Sequence, residues 1–180
     1  CPLMHGTGIW VGAMITHLTG GAVITVKKLG LDADLLLKQI ENERASLATI
    51  VGDAFARPML NALDQSQKDG KPYDLSSLKI MLSSGVMWAQ ETKEGLLSHH
   101  DMMLVDAMGS SEGNMGIAVA ARGVPPKTAS FQANEDVKVF DDNNCQVTPG
   151  SDEMGMVATP SAMRGYYKDP EKTEKTVRVI

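Results

Sequence analysis

Residues 109–113, Gly-Ser-Ser-Glu-Gly, set two hydroxyls and one carboxylate between two glycines, directly after the apolar run MMLV and Asp106-Ala107-Met108. Two chemistries use such a set. In the first, glycine lets backbone N–H groups approach a ligand, hydroxyls and N–H groups cradle phosphate oxygens, and the Glu112 carboxylate holds Mg2+. In the second, the match to G-x-S-x-G makes Ser111 a nucleophile on a strand-to-helix elbow. That elbow needs a helix next, then an acid and a histidine further along the chain. His5, His17, His99 and His100 all precede Ser111, and NMGIAVAARG is too rich in glycine to read as a helix.

The elements around this segment decide what it can face. DMMLVDAM (101–108) reads as a strand leading into it. SLATIV (46–51) is a buried strand that ends at Gly52-Asp53, and DLSSLKIMLSSG (74–85) is one that ends at Ser83-Ser84-Gly85. AVITVKKL (22–29) is β-branched, follows Gly20-Gly21 and also reads as a strand. Between them, 32–45 is a helix capped by Asp32, 57–70 an amphipathic helix closed by Gly70, and 88–100 a further helix. Strands alternating with helices imply an α/β fold with a mostly parallel sheet and flanking helices. Ligands in open sheets of this kind bind outside the carboxyl ends of the strands. Three Gly-bearing polar segments stand at such ends, after residues 51, 82 and 108, and are expected to converge on one crevice.

From about residue 123 the character changes. VKVFDDNNCQV (137–147) gives two short runs around Asp-Asn-Asn, a hairpin signal, and 153–167 is a β segment of small residues. The expected organisation is an α/β subdomain over 1–122 and a β-rich, barrel-like segment over 123–180.

Composition narrows the function classes. The chain has 180 residues and a net charge of −5, which speaks against a nucleic-acid surface. It holds no run of the roughly 20 apolar residues that a membrane span needs. Two cysteines make no disulfide framework, so a reducing, cytoplasmic setting is expected. Twelve methionines against 4% aromatics suit either a Met-packed core or a pocket for a flexible apolar ligand. The chain starts at Cys1 and stops soon after the helix signal Asp169-Pro170, so it reads as a piece of a longer protein. Three other patterns carry less. Ser-Ser-Leu-Lys (76–79) lacks companion motifs, Gly-Thr-Gly (6–8) lacks a third glycine, and His99-His100 reads as a helix end rather than a metal site.

Taken in order, PLMHGTG, GDAFARP, YDLSSLKIMLSSG, SSGVMW, DAMGSSEG and PGSDEMGMVATPSAMRGYYKDPEKT resemble the adenylate-forming superfamily, most closely its acyl-CoA synthetase branch. The likeness runs over essentially the whole chain. It implies the central part of a large N-terminal domain. The expected activity is ATP-dependent activation of a carboxylic acid, fatty or bulky and cyclic, followed by transfer to coenzyme A. A carrier-protein thiol is the alternative acceptor, and a scaffold domain without chemistry the alternative to an enzyme.

The resemblance also assigns residues. Ser111 would contact the α-phosphate, Glu112 would bind Mg2+, and His5, polar or protonated, would steady the acid's negative charge. Gly85 and Val86 would pass close to adenine and acyl chain, with Asp106, Met108, Gly109 and Ser110 completing the nucleotide side. Met108 departs from the family, which usually carries an aromatic residue there. Trp10, Asp53, Phe55 and Trp88 would wall the acid pocket. The phosphate loop is expected before Cys1, and the ribose-binding Gly-Asp motif and the catalytic lysine after Ile180, which would leave these 180 residues inactive alone. The resemblance leaves room for a homodimer and for peripheral membrane contact.

Overall fold

A computed structural model describes residues 1–110, 112–161 and 163–178. Ser111, the residue expected at the α-phosphate, therefore lies outside the described residues. The chain divides into two compact units, Cys1–Met108 with Ile117–Gln132, and Gly109–Gly116 with Ala133–Ile180.

The first unit is built on parallel strands. β1 (Leu47–Ile50), β2 (Ile80–Ser84) and β3 (Met103–Ser110) pair in that order, with Ile50 opposite Ser83 and Ser83 opposite Asp106. β4 (Gly113–Ala120) lies beside β3 and the short β5 (Gln132–Ala133) beside β4. Side chains alternate across a strand, so Ala48 and Ile50, Met81 and Ser83, Leu104 and Asp106 share the buried face. That face is apolar along most of its length and turns polar, at Ser83 and Asp106, near the strand ends.

Helices cover this sheet. α1 (Ile15–Leu18) continues a π-helix over Thr7–Met14. α2 (Ala33–Asn42) begins where the Asp32 carboxylate accepts the Leu35 N–H at 3.0 Å, as its sequence predicts, and buries Leu37 and Ile40. α3 (Gly52–Lys68) buries Ala56, Met59 and Leu63, and α4 (Gln90–His99) buries Leu96 and Leu97. α3 starts five residues earlier than expected, since a proline near a helix start (Pro58) reads as its first turn. Here Pro58 sits inside the helix instead.

One expectation fails, over residues 22–29. Residues 22–28 form no strand, because no described strand pairs with them; Ile24 and Val26 stay exposed. The segment after 112 is strand β4, in keeping with a sequence too rich in glycine for a helix, so the nucleophile-elbow reading of Ser111 lacks the helix it needs.

In the second unit, β6 (Lys138–Phe140) pairs antiparallel with β7 (Met156–Ala158). The expected hairpin partner of β6 contributes a single bridge, Phe140 to Gln146. Its turn is real: the Asp141 carboxylate accepts the N–H of Asn143 at 2.9 Å and of Cys145 at 2.7 Å, with Asn144 at φ +60°. α5 (Pro170–Thr176) starts with Asp169 accepting the Lys172 N–H. Among the described residues, no helix is long and apolar enough to cross a membrane.

Candidate functional site

The ends of β1 and β2 are stitched together in the first unit. Gly52 N–H donates to Ser83 Oγ at 2.9 Å, Asp53 N–H to the Met87 carbonyl at 3.1 Å, and Ala89 N–H to Asp53 Oδ1 at 3.1 Å. Only glycine suits position 52, where φ is +47° and an added Cβ would lie 2.5 Å from two carbonyl oxygens of the next tip. Two of the three expected tips thus converge. β3 runs beside β2 in register, which brings Asp106 and Ala107 to the same edge.

His5 and Gly85 meet at this edge. Gly85 has φ +91°, and a methyl group there would come within 2.8 Å of His5 Cε1 and 3.2 Å of Nε2. The ring is held by its other nitrogen, since Nδ1 accepts the Thr7 N–H at 3.2 Å. Thr7 is in turn anchored to the same turn, its hydroxyl donating to the Ser84 carbonyl at 3.3 Å. An imidazole whose Nδ1 accepts presents Nε2 as its donor. The edge therefore offers an N–H donor above a backbone bare of side chain, a fit for one oxygen of a carboxylate or phosphate.

The remaining residues expected on the acid-pocket wall and the nucleotide side lie in different surroundings. Trp10 is 58% exposed on the π-helix. Val86 is exposed on the β2–α4 turn and Met108 half-buried on β3. Phe55 packs against the core and lines a cavity of about 750 Å³. That cavity, bounded by residues 1–3, the 21–32 stretch, α2 and β1, includes neither His5 nor Gly85. Asp53 is engaged by Ala89 N–H and by Arg57 Nε at 2.9 Å. Burial raises its carboxyl pKa, but these partners outweigh burial and hold it below the usual value. Trp88, expected on a pocket wall, is fully buried and belongs to the core.

The second unit holds Glu112. Its N–H donates to Ser110 Oγ at 3.3 Å, its carbonyl accepts from Ser161 Oγ at 3.1 Å, and its carboxylate accepts from the Tyr166 hydroxyl. The Ser110 hydroxyl, then that of Tyr166, pulls its pKa down to about 2. Lys172 Nζ stands 4.2 Å from the Tyr166 ring centroid. Gly109 and Gly113 allow close turns here, an added Cβ on Gly113 meeting Thr159 Cγ2 at 2.6 Å. Glu112 is thus a firmly ionised carboxylate. Among the described residues no three His, Cys, Asp or Glu side chains cluster. A single carboxylate fits Mg2+, which takes one or two such ligands and fills its shell with water and substrate phosphates.

Residues 1–167 match the model of a family described as AMP-binding enzyme. The chain belongs to that family. It is similar to the 3-oxocholest-4-en-26-oate–CoA ligase of Rhodococcus rhodochrous, 37% identical over 186 residues that cover 98% of this chain and 32% of that protein. It is also similar to a medium/long-chain-fatty-acid–CoA/3-oxocholest-4-en-26-oate–CoA ligase of Mycolicibacterium smegmatis, 31% identical over 99% of this chain and 33% of the relative. The chain thus spans about a third of the length of these relatives. The crystal structure of the anthranilate CoA ligase AuaEII with anthranoyl-AMP shares its fold, with a TM-score of 0.77 and 19% identity over 96% of this chain and 33% of that one.

The sequence of this AMP-binding chain leaves the partners of four residues that shape the site out of sight, although Ser83 itself stands in one of the expected tips. Thr7 and Ser83 look like ordinary small polar residues, and their partners are distant in sequence. Tyr166 lies 54 positions from the carboxylate it meets. Lys93 did leave a signal: it sits three and four positions before Leu96 and Leu97, on the buried stripe of α4.

Proposed function

We propose that the chain is the central third of an AMP-forming acyl-CoA synthetase. The single observation that carries this reading is the His5–Gly85 pair, a directed N–H donor over an open backbone at the carboxyl edge of a parallel sheet. The names of the similar proteins, CoA ligases for steroid and fatty acids, support the same class.

In this reading a carboxylate oxygen attacks the α-phosphorus of ATP and the bond to pyrophosphate breaks, leaving an acyl adenylate. The sulfur of coenzyme A then attacks the acyl carbon, the thiol proton is lost, and AMP leaves with the electrons of the C–O bond. His5 Nε2–H orients the carboxylate. Gly85 and Val86 leave room for adenine and the acyl chain, beside Ala107 and Met108, while the Asp106 carboxylate, expected on the nucleotide side, is held in the core by Lys93. Glu112 holds Mg2+, which neutralises charge on the phosphate oxygens when bound. Gly109, Ser110 and Ser111 serve the same phosphates. The acid is a medium- or long-chain fatty acid or a bulky cyclic one, as the relatives' names suggest. A cytoplasmic setting suits the free thiols Cys1 and Cys145, and a homodimer with peripheral membrane contact suits a lipid substrate.

The deciding experiment is pyrophosphate release by the full-length protein with ATP, Mg2+ and coenzyme A. Release that depends on a fatty or steroid acid supports the reading. Its absence with both, in protein that melts cooperatively, rejects it.

A further inference from the structure

Two charged side chains sit in the core of the first unit. Lys93, on α4, is 2% exposed and Asp106, on β3, 4%. Lys93 Nζ stands 3.0 Å from Asp106 Oδ2, 3.4 Å from the Lys127 carbonyl and 5.3 Å from the centre of the Trp88 ring. Among the described residues it is the one buried cation.

Such a pair is costly to bury. Replacing a buried ion pair by apolar side chains of similar size is often neutral or stabilising, whereas removing one partner is strongly destabilising. Stability alone therefore gives weak reason for it, and geometry gives a better one. The ammonium reaches two segments that flank the edge of the sheet. Trp88 directly follows the Gly85–Met87 turn, and Asp106 precedes Met108 by two residues. An ammonium locked between an indole face and a carboxylate fixes the distance between them. The Asp106 carboxylate, turned into the core, is taken up by this contact.

We propose that Lys93 is a positioning residue: by tying Trp88 to Asp106 it sets the spacing of the Gly85–Trp88 turn and the Asp106–Met108 strand end, and so the fit of an adenine nucleotide between them. This rests on the functional reading above. Lys93 itself touches no ligand.

The test uses the full-length protein, with AMP affinity measured by calorimetry beside thermal melting. Lys93→Met alone leaves a buried, unpaired carboxylate and lowers both Tm and AMP affinity. Lys93→Met/Asp106→Val removes both charges. Its Tm returns to near the wild-type value, while its Kd for AMP stays raised by about 5- to 30-fold. A double variant that melts like wild type and binds AMP within about twofold of it overturns the proposal. If the apolar pair does not melt cooperatively, Lys93→Gln/Asp106→Asn, which keeps one hydrogen bond and no charge, decides by the same two readings. A wild type that binds AMP but releases no pyrophosphate sinks the functional reading and leaves this comparison intact. A wild type that does not bind AMP overturns both.

Discussion

The Nε2 edge of the His5 ring lies against the α-carbon of Gly85, so close that a single added methyl group would fall within 2.8 Å of the neighbouring Cε1. Gly85→Ala must therefore push the ring aside, and it also forces a side chain into φ +91°. Acid-dependent pyrophosphate release by the full-length protein should fall about 10- to 100-fold, as a misplaced orienting group does. Assays at saturating ATP check this; release at the wild-type rate would remove His5 from the carboxylate site.

Glu112 is tested by charge. Glu112→Gln keeps the shape and loses the anion, and should cut pyrophosphate release at least ~100-fold at saturating Mg2+. Tyr166→Phe removes one donor to that carboxylate. It should raise the Mg2+ concentration at half-maximal rate several-fold and change the maximal rate less. Equal Mg2+ titrations for Tyr166→Phe and wild type would show that the tyrosine does nothing for the metal.

Asp53 ties the start of α4 to the start of α3, and its pKa in the fold lies below the ordinary 3.8. A depressed carboxyl pKa stabilises above the unfolded value and loses that stabilisation as pH falls through the folded one. Asp53→Ala should cost about 1 kcal/mol at neutral pH, the worth of a backbone hydrogen bond to a carboxylate. In melts of variant and wild type from pH 7 downward, the gap should narrow once pH falls below 3.8. A gap that widens toward acid contradicts the assignment.

Leu96 faces the sheet from α4 and is fully buried. Leu96→Ala should destabilise by about 2–5 kcal/mol, the usual range for a core leucine left as a cavity. Denaturant unfolding of the full-length variant measures it. A loss below about 1 kcal/mol would mean that α4 is not packed as described.

Ser111 should not be labelled by a fluorophosphonate. A strand follows at Gly113–Ala120 where a nucleophile elbow needs a helix. Covalent modification mapped to Ser111 by mass spectrometry would reopen the hydrolytic reading.

The alternation of β1, β2 and β3 with helices was legible because each strand is an apolar run closed by glycine or serine, and each helix carries a stripe of leucines. The convergence of the first two tips followed from parallel pairing alone. β4 was not legible: Gly113, Gly116 and the alanines between its few larger side chains blur any period of two. Residues 22–29 misled in the opposite direction, since β-branched residues report the habit of a strand and not the presence of a neighbour. The pairing of Lys93 with Asp106 was not legible, and Asp106, expected on the nucleotide side, turns its carboxylate into the core. A lysine on a helix reads as solvent-facing until the carboxylate opposite it is seen, 13 positions along the chain.

The unpaired stretch 22–28 has a practical outcome. β1 stands first in the sheet, and this ribbon of valine, isoleucine and threonine has no ladder of its own. Among the described residues no strand pairs with this stretch, and with Ile24 and Val26 exposed it invites a strand from any neighbouring molecule. Expressed by itself, this 180-residue polypeptide should self-associate at that rim, and a lysine in place of Ile24 should be the cheapest way to keep it monodisperse.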